Sequence, residues 1–314
     1  MSDEGGIVAT ESVIDVQDLK KHYGDTRAVD GVSFTVQAGE VFGMLGPNGA
    51  GKTTTVECIE GLRDPDAGSI TVLGLRQGPD RQRIKGRIGM QLQTTGLYPK
   101  LTVREQLSLF ASFYPAPLSI DQLIDTVGLR EKERTPTKDL SGGQRQRLSL
   151  ALALVGDPDI VFLDEPTTGL DPQARRSVWE VVHDLRRKGK TTILTTHYME
   201  EAEELCDRVA VMDHGKIIEL DRPSALIGRH FKETAIEFTA SDGWPLERVR
   251  DLPGVTHALA EDGHILIYTE DVPRTMAGLL DLSNRQRLAF SDMSVRTATL
   301  EDVFLKLTGR RIRE

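Results

Sequence analysis

The chain is poor in cysteine, has no long apolar run and carries more acidic than basic residues. Among 314 residues there are two cysteines, Cys58 and Cys206. Neither belongs to a C-x-x-C pair, which argues against a disulfide scaffold or a thiolate zinc site and leaves both as small packed residues. The seven histidines are scattered without ligand spacing, so no histidine-built metal centre is expected. The longest nearly apolar stretch, Leu148 to Val155, is far below the roughly 20 residues of a membrane helix. Met1 to Ser12 is acidic and polar, unlike a signal peptide. The expectation is a cytoplasmic chain that serves a membrane only by docking on its cytoplasmic face. A net charge of -9 disfavours a broad footprint for nucleic acid, and no nucleic-acid partner is expected.

What is present suits a soluble globular protein: 39% hydrophobic and 28% charged residues over a length that suggests two domains. Residues 1–12 read as a flexible tail. From Val13 short apolar runs alternate with helical patterns. Val32–Val36, Val41–Leu45, Ile70–Leu73, Ile160–Leu163, Thr192–Thr195 and Val209–Met212 read as strands, several continuously apolar as if buried on both faces. Lys52–Ile59, Gln144–Val155 and Gln173–Lys188 read as helices. This alternation predicts an α/β core, residues 13–228, with a largely parallel sheet. Residues 94–156 depart from the rhythm and read as an inserted helical subdomain. Pro223 and Gly228 mark a boundary. Residues 229–314 then give the order βαββαβ, with a hairpin signal at Glu261-Asp262-Gly263, and predict a small α+β, ferredoxin-like domain. An amphipathic helix at Leu300–Leu307 closes the chain.

Gly46-Pro47-Asn48-Gly49-Ala50-Gly51-Lys52-Thr53 fits G-x-x-x-x-G-K-[ST], after an apolar strand and before a helix. Glycines let backbone amides turn toward phosphate oxygens, and the helix adds the positive end of its dipole. Lys52 offers a charge to the β- and γ-phosphates, and Thr53 a hydroxyl to Mg²⁺. Thr54 continues the same first turn. A chance glycine-rich turn is the plainer reading, and the strand–loop–helix setting argues against it.

Ile160-Val161-Phe162-Leu163 ends in two adjacent carboxylates, Asp164 and Glu165. A parallel strand would bring them beside the phosphate loop. One carboxylate can then serve Mg²⁺ (Asp164) and the other the attacking water (Glu165), which suffices for a reaction governed by positioning and charge. Alone, such a pair is an ordinary solvated loop.

Leu140-Ser141-Gly142-Gly143-Gln144 opens another helix and offers a second anion site at a helix N-terminus. Together with the phosphate loop, it closely resembles the signature motif of the ATP-binding cassette (ABC) ATPases. The resemblance covers residues 13–225 and implies a P-loop NTPase core. It also implies a head-to-tail homodimer in which Ser141, Gly142, Gly143 and Gln144 reach the nucleotide of the second copy. By the same resemblance Tyr23 stacks on adenine, and Gln93 senses Mg²⁺ and the water. Asp171, in Gly169-Leu170-Asp171, crosses the dimer interface, and His197 is the switch histidine beside Glu165. Gln91-Leu92 stands where many members carry a proline. The implied cofactors are ATP and Mg²⁺.

One cassette per chain, and no room for an inserted coiled coil, favour a separate transmembrane subunit as partner. The segment Thr299 to Gly309 resembles the closing segment of ABC-2 class exporter ATPases of the daunorubicin-resistance type. That resemblance implies efflux of a drug or other hydrophobic compound through an ABC-2 permease. On the residues alone it is an amphipathic helix with Leu300, Val303, Phe304 and Leu307 on one face. A cytosolic ABC ATPase that remodels a non-transport partner is the alternative.

Overall fold

The computed structural model describes residues 12–91, 96–240, 244–261 and 264–308, with only the backbone of Glu261. They form two compact units that divide between Pro223 and Ser224.

The first unit begins with β1 (Ser12–Tyr23), β2 (Thr26–Gln37) and β3 (Val41–Leu45), followed by α1 (Lys52–Glu60), β4 (Ala67–Val72), β5 (Leu75–Arg76), α2 (Arg81–Lys85) and β6 (Ile88–Gln91). Three helices come next: α3 (Val103–Ala111), α4 (Ile120–Thr126) and α5 (Gly142–Leu154). Then β7 (Ile160–Asp164), α6 (Pro172–Arg187), β8 (Thr191–Thr196), α7 (Met199–Leu205), β9 (Arg208–Asp213) and β10 (Lys216–Asp221) complete the unit.

Two sheets result. The larger has the order β10-β9-β3-β8-β7-β6, parallel except for the β10–β9 edge. The other is antiparallel, β2-β1-β4-β5. Continuous apolar runs explain the parallel sheet: every residue of β3 and β7 is buried. Each such Val, Leu, Ile, Met or Phe contributes about 1.5–3 kcal/mol on burial. The two sheets share a core in which Phe34 of β2 stacks on Phe42 of β3 at 5.0 Å, with Val56 and Ile59 of α1 in the same cluster.

The sequence reading anticipates the parallel sheet but not the antiparallel one. β1 passes unnoticed because its apolar alternation stops at Gln17-Asp18, where Asp18 adopts φ 45° and the pairing shifts. Ser12, expected in the tail, opens β1 opposite Gln37.

Between β6 and β7 the described residues are mainly helices and turns. Thr102 caps α3 through a complete capping box with Glu105. Arg104 of α3 donates to Asp121 of α4 and to Glu133, each at 2.7 Å. Arg130 joins Asp121 as well, also at 2.7 Å.

The second unit contains α8 (Pro223–His230), β11 (Thr234–Ala240), α9 (Leu246–Arg250), β12 (Val255–Glu261), β13 (His264–Thr269), α10 (Val272–Gln286), β14 (Phe290–Arg296) and α11 (Leu300–Thr308). Its antiparallel sheet has the order β12-β13-β11-β14, that of a ferredoxin-like sandwich. Ile236, Phe238, Ile265 and Ile267 on one sheet face pack with Val249 of α9 and Leu279 of α10. Asp262 and Gly263 of the expected hairpin lie outside the described residues. The boundary expected after residue 228 falls at Pro223 instead. Pro suits the first turn of a helix, and Gly228 is carried inside α8.

Candidate functional site

β8 lies between β3 and β7, and all three run in parallel. Their C-terminal ends therefore share one edge, which carries the phosphate loop, Asp164-Glu165 and His197.

The loop after β3 delivers α1. Gly51, its N-cap, has φ 101°, and a Cβ there would collide with the carbonyl oxygen of Ala28 in β2, so the position requires glycine. No side chain caps the helix. Lys52 is only 4% exposed, and its Nζ donates to the carbonyl oxygens of Gly46 at 2.6 Å and Pro47 at 3.2 Å. The amides of Gly46 and Ala50 donate to Thr196 and Pro47 oxygens, at 3.4 and 3.1 Å. Asn48 and Gly49 are exposed, and Thr54 is half-buried on α1.

Thr53 Oγ1 donates to Asp164 Oδ1 at 3.2 Å, and the Thr195 hydroxyl of β8 also donates to Asp164 Oδ1. A hydroxyl and a carboxylate at one point are oxygen donors of the kind Mg²⁺ takes alongside waters, so the residues present fit that ion. Glu165 sits at φ 47°, a region unfavourable for a residue with a side chain. The conformation is held because its amide donates to the Thr195 backbone oxygen at 3.1 Å and to the Thr195 hydroxyl at 3.0 Å. The Glu165 carboxylate then reaches three groups. Oε1 lies 3.7 Å from Lys52 Nζ and 3.4 Å from His197 Nδ1, and Oε2 accepts from Thr168 Oγ1 at 3.1 Å.

Burial is the largest influence on both charges nearby. It lowers the pKa of Lys52 against the opposing pull of Glu165 and Asp164. It raises that of Asp164, while hydrogen bonds from Thr195 and Thr53 act the other way. An ammonium and two carboxylates at the end of a buried sheet form a charge cluster that can bind polyphosphate and orient a water molecule.

The other expected residues lie elsewhere. The start of α5 forms a second group. Ser141 and Gln144 exchange a capping box: Ser141 Oγ accepts the Gln144 amide at 3.3 Å, and Gln144 Oε1 accepts the Ser141 amide at 3.0 Å. A Cβ at Gly143 would come 2.7 Å from Ala174 Cβ in α6, and one at Gly142 would come 4.0 Å from Leu170. Asp171 caps α6 by accepting the Ala174 amide at 2.9 Å. The signature residues and Asp171 thus form one surface. Tyr23 is 43% exposed at the β1–β2 turn, with Lys21 and Arg63 within 6 Å of its ring, at 5.7 and 5.5 Å. Gln93 lies outside the described residues. Thr195 and Thr168 were not anticipated. The signal for Thr195 is a threonine-rich strand, Thr191 to Thr196, buried throughout, where hydroxyls need partners, whereas Thr168 lies in the exposed turn after β7 and carries no such signal.

The fold and this edge define a phosphate-loop nucleotide-binding cassette. The profile of the ABC transporter family matches residues 29–168. The chain is 38% identical over 312 residues to the Nod factor export ATP-binding protein I of Ralstonia nicotianae, covering 98% of this chain and 97% of that protein. It is 43% identical over 305 residues to the protein of that name in Burkholderia pseudomallei, covering 95% and 98%. Among solved structures it resembles cbiO1 from Clostridium perfringens, part of the ABC transporter complex cbiONQ, with 28% identity, TM-score 0.64 and coverage of 70% and 92%. A dimeric bacterial ABC transporter cassette gives 25% identity, TM-score 0.60 and coverage of 67% and 98%. The chain belongs to the ABC transporter family, as an ATP-binding and ATP-hydrolysing subunit. Among the described residues no helix is long and apolar enough to cross a membrane.

Proposed function

We propose that this chain is the motor of an ABC exporter. Two copies pair head to tail on the cytoplasmic face of the membrane and drive a separate ABC-2 type transmembrane subunit. The observation that carries the hydrolytic part is the convergence of Lys52, His197 and Thr168 on Glu165, beside the Thr53–Asp164 pair.

In this reading the residues Gly46 to Thr54 hold the phosphates of ATP, and Tyr23 stacks on its adenine. Thr53, Asp164 and Gln93 hold Mg²⁺, which neutralises charge on the phosphate oxygens when bound. Glu165 accepts a proton from the attacking water or orients it. His197 and Thr168 fix the rotamer of Glu165, and Lys52 exchanges its contact with Glu165 for phosphate. Ser141, Gly142, Gly143, Gln144 and Asp171 of one copy complete the site of the other. ATP then favours the paired state because it adds contacts across the interface, and hydrolysis removes them.

The names of the relatives, together with the resemblance of Thr299 to Gly309, favour export. Selection of the cargo belongs to the membrane subunit, and a drug or other hydrophobic compound is the cargo class proposed. The test is reconstitution with an ABC-2 type transmembrane subunit. ATP-dependent efflux that disappears in Glu165→Gln is expected. Recovery of soluble partners alone, with ATPase activity indifferent to the membrane subunit, would support the non-transport alternative.

A further inference from the structure

One buried carboxylate has no part in the reaction above. Glu201 of α7 is 0% exposed, a costly position for an acid. Its Oε1 accepts the indole N–H of Trp179, from α6, at 3.1 Å. Burial raises its pKa, and the hydroxyls of Thr196 and Thr167, the indole and the charge of Arg175 oppose that rise. Thr196 immediately precedes His197, and Thr167 follows Glu165 by two positions.

A second clasp runs beside the first. The Arg175 guanidinium of α6 lies 4.4 Å from the ring centre of Tyr198 and 3.7 Å from Glu200. The Tyr198 amide in turn donates to the Thr196 hydroxyl at 3.0 Å. The helix that begins at Asp171 is therefore fastened to the segment that begins at His197. Glu201 Oε2 and the Thr167 hydroxyl are both buried without a well-formed hydrogen bond. In a low-dielectric interior, a small shift that pairs such atoms is favourable.

We propose that Glu201 is a positioning residue for ATP hydrolysis. It ties the turn after β7, which carries Glu165, Thr168 and Asp171, to the turn after β8, which carries His197. It acts through Thr167, Thr196 and Trp179 and never touches nucleotide. The proposal rests on the roles given above to Glu165 and His197.

Replacement by methionine separates this role from packing. An apolar side chain of similar size keeps the volume but leaves the Trp179 indole N–H without its acceptor, so some stability is lost with it. Misplacing a reacting group by an ångström, by contrast, costs up to about 100-fold in rate. The full-length chain is compared as parent, Glu201→Met, Glu201→Gln, Trp179→Phe and Glu165→Gln. The readouts are melting temperature, ATP affinity, kcat and KM. Glu201→Met is expected to lower the melting temperature only modestly and to keep ATP affinity while kcat falls at least about 10-fold. Glu201→Gln, which still offers an oxygen to the indole, should recover most of that loss, and Trp179→Phe should fall between them. The chain has two tryptophans, so a Trp244→Phe background leaves Trp179 as the fluorescent reporter. Its emission should respond to ATP in the parent and not in Glu201→Met.

Parent-like kcat in Glu201→Met would overturn the proposal. So would a parallel fall of kcat, ATP affinity and melting temperature without rescue by glutamine, which would mark Glu201 as structural. Normal turnover in Glu165→Gln would instead defeat the reading of the site itself. An inactive Glu165→Gln beside a fully active Glu201→Met would defeat only this inference.

Discussion

Two helices of the cassette start at glycine-containing loops, and they start differently. α1 leaves Gly51 with no capping side chain and with the Lys52 ammonium folded into the loop before it. α5 leaves Ser141 with a complete capping box, so Ser141 and Gln144 already satisfy each other's amides. Both starts carry the positive end of a helix dipole. The first has no side chain bonded to its opening amides and lies within a buried charge cluster, as an anion site requires. The second has spent two of them on its own side chains and lies at the surface. The difference suits a receptor, which holds its own nucleotide, and a lid, which closes on a neighbour's.

The largest effect expected is at the receptor. Glu165→Gln should cut turnover by about 10²–10⁴-fold while ATP still binds, as measured by phosphate release and equilibrium binding. Normal hydrolysis in that variant would remove the chemical half of the comparison. Lys52→Ala should weaken ATP binding itself, by roughly 10–100-fold for the loss of charge-assisted hydrogen bonds. Unchanged affinity would show that the uncapped amides suffice alone.

Ser141→Ala tests the lid. Loss of the cap should cost about 1 kcal/mol of stability in denaturant titration. ATP affinity of the single chain should hold, and ATP-dependent pairing, followed by light scattering, should weaken. Thr102→Ala is the control, because α3 has the same box. It should cost a similar amount, about 1 kcal/mol, with pairing intact. If Ser141→Ala lowered single-chain affinity as much as Lys52→Ala, the division into receptor and lid would fail.

An effect that appears only as pH changes sits at the far end of α1. Burial, aided by the charge of Asp164, pushes the carboxyl of Glu60 up from 4.5 to about 8. The folded state therefore holds a proton that the unfolded chain releases. The stability linked to Glu60 is complete below pH 4.5 and is lost as pH rises through about 8. Glu60→Gln should gain on the parent in melting temperature as pH rises across that window. A constant difference would mean that Glu60 does not titrate there.

How much of this was legible in the sequence depends on the range of the interactions involved. The phosphate loop and the Ser141 motif are local, because glycine spacing and a helix start are dictated within eight residues or fewer. Asp164 and Glu165 are marked by the buried strand before them. The insertion of β8 between β3 and β7 is a long-range pairing, so the meeting of Thr195 with Asp164 and Glu165 left no local trace beyond the threonines themselves. β10 was missed because an edge strand that is half-buried and polar, Lys216 to Asp221, lacks an apolar pattern. α8 was missed because Pro223 and Gly228 read as breaks. The ferredoxin-like order was legible, since its short strands alternate cleanly, as in His264–Thr269.

The contact of Gly143 with Ala174 has a genetic consequence. The signature residues and Asp171 form one surface, so in a head-to-tail pair each chain lends its neighbour a single composite part. A chain carrying Lys52→Ala, mixed with one carrying Ser141→Ala, places both faults in the same one of the two sites and spares the other. The same two changes in one chain, mixed with an unaltered one, spoil both sites. Once purified away from the homodimers, two heterodimers with identical mutational content should therefore differ in activity, one keeping an intact site and the other none, and the order of that difference tells head-to-tail pairing from sites complete within one chain.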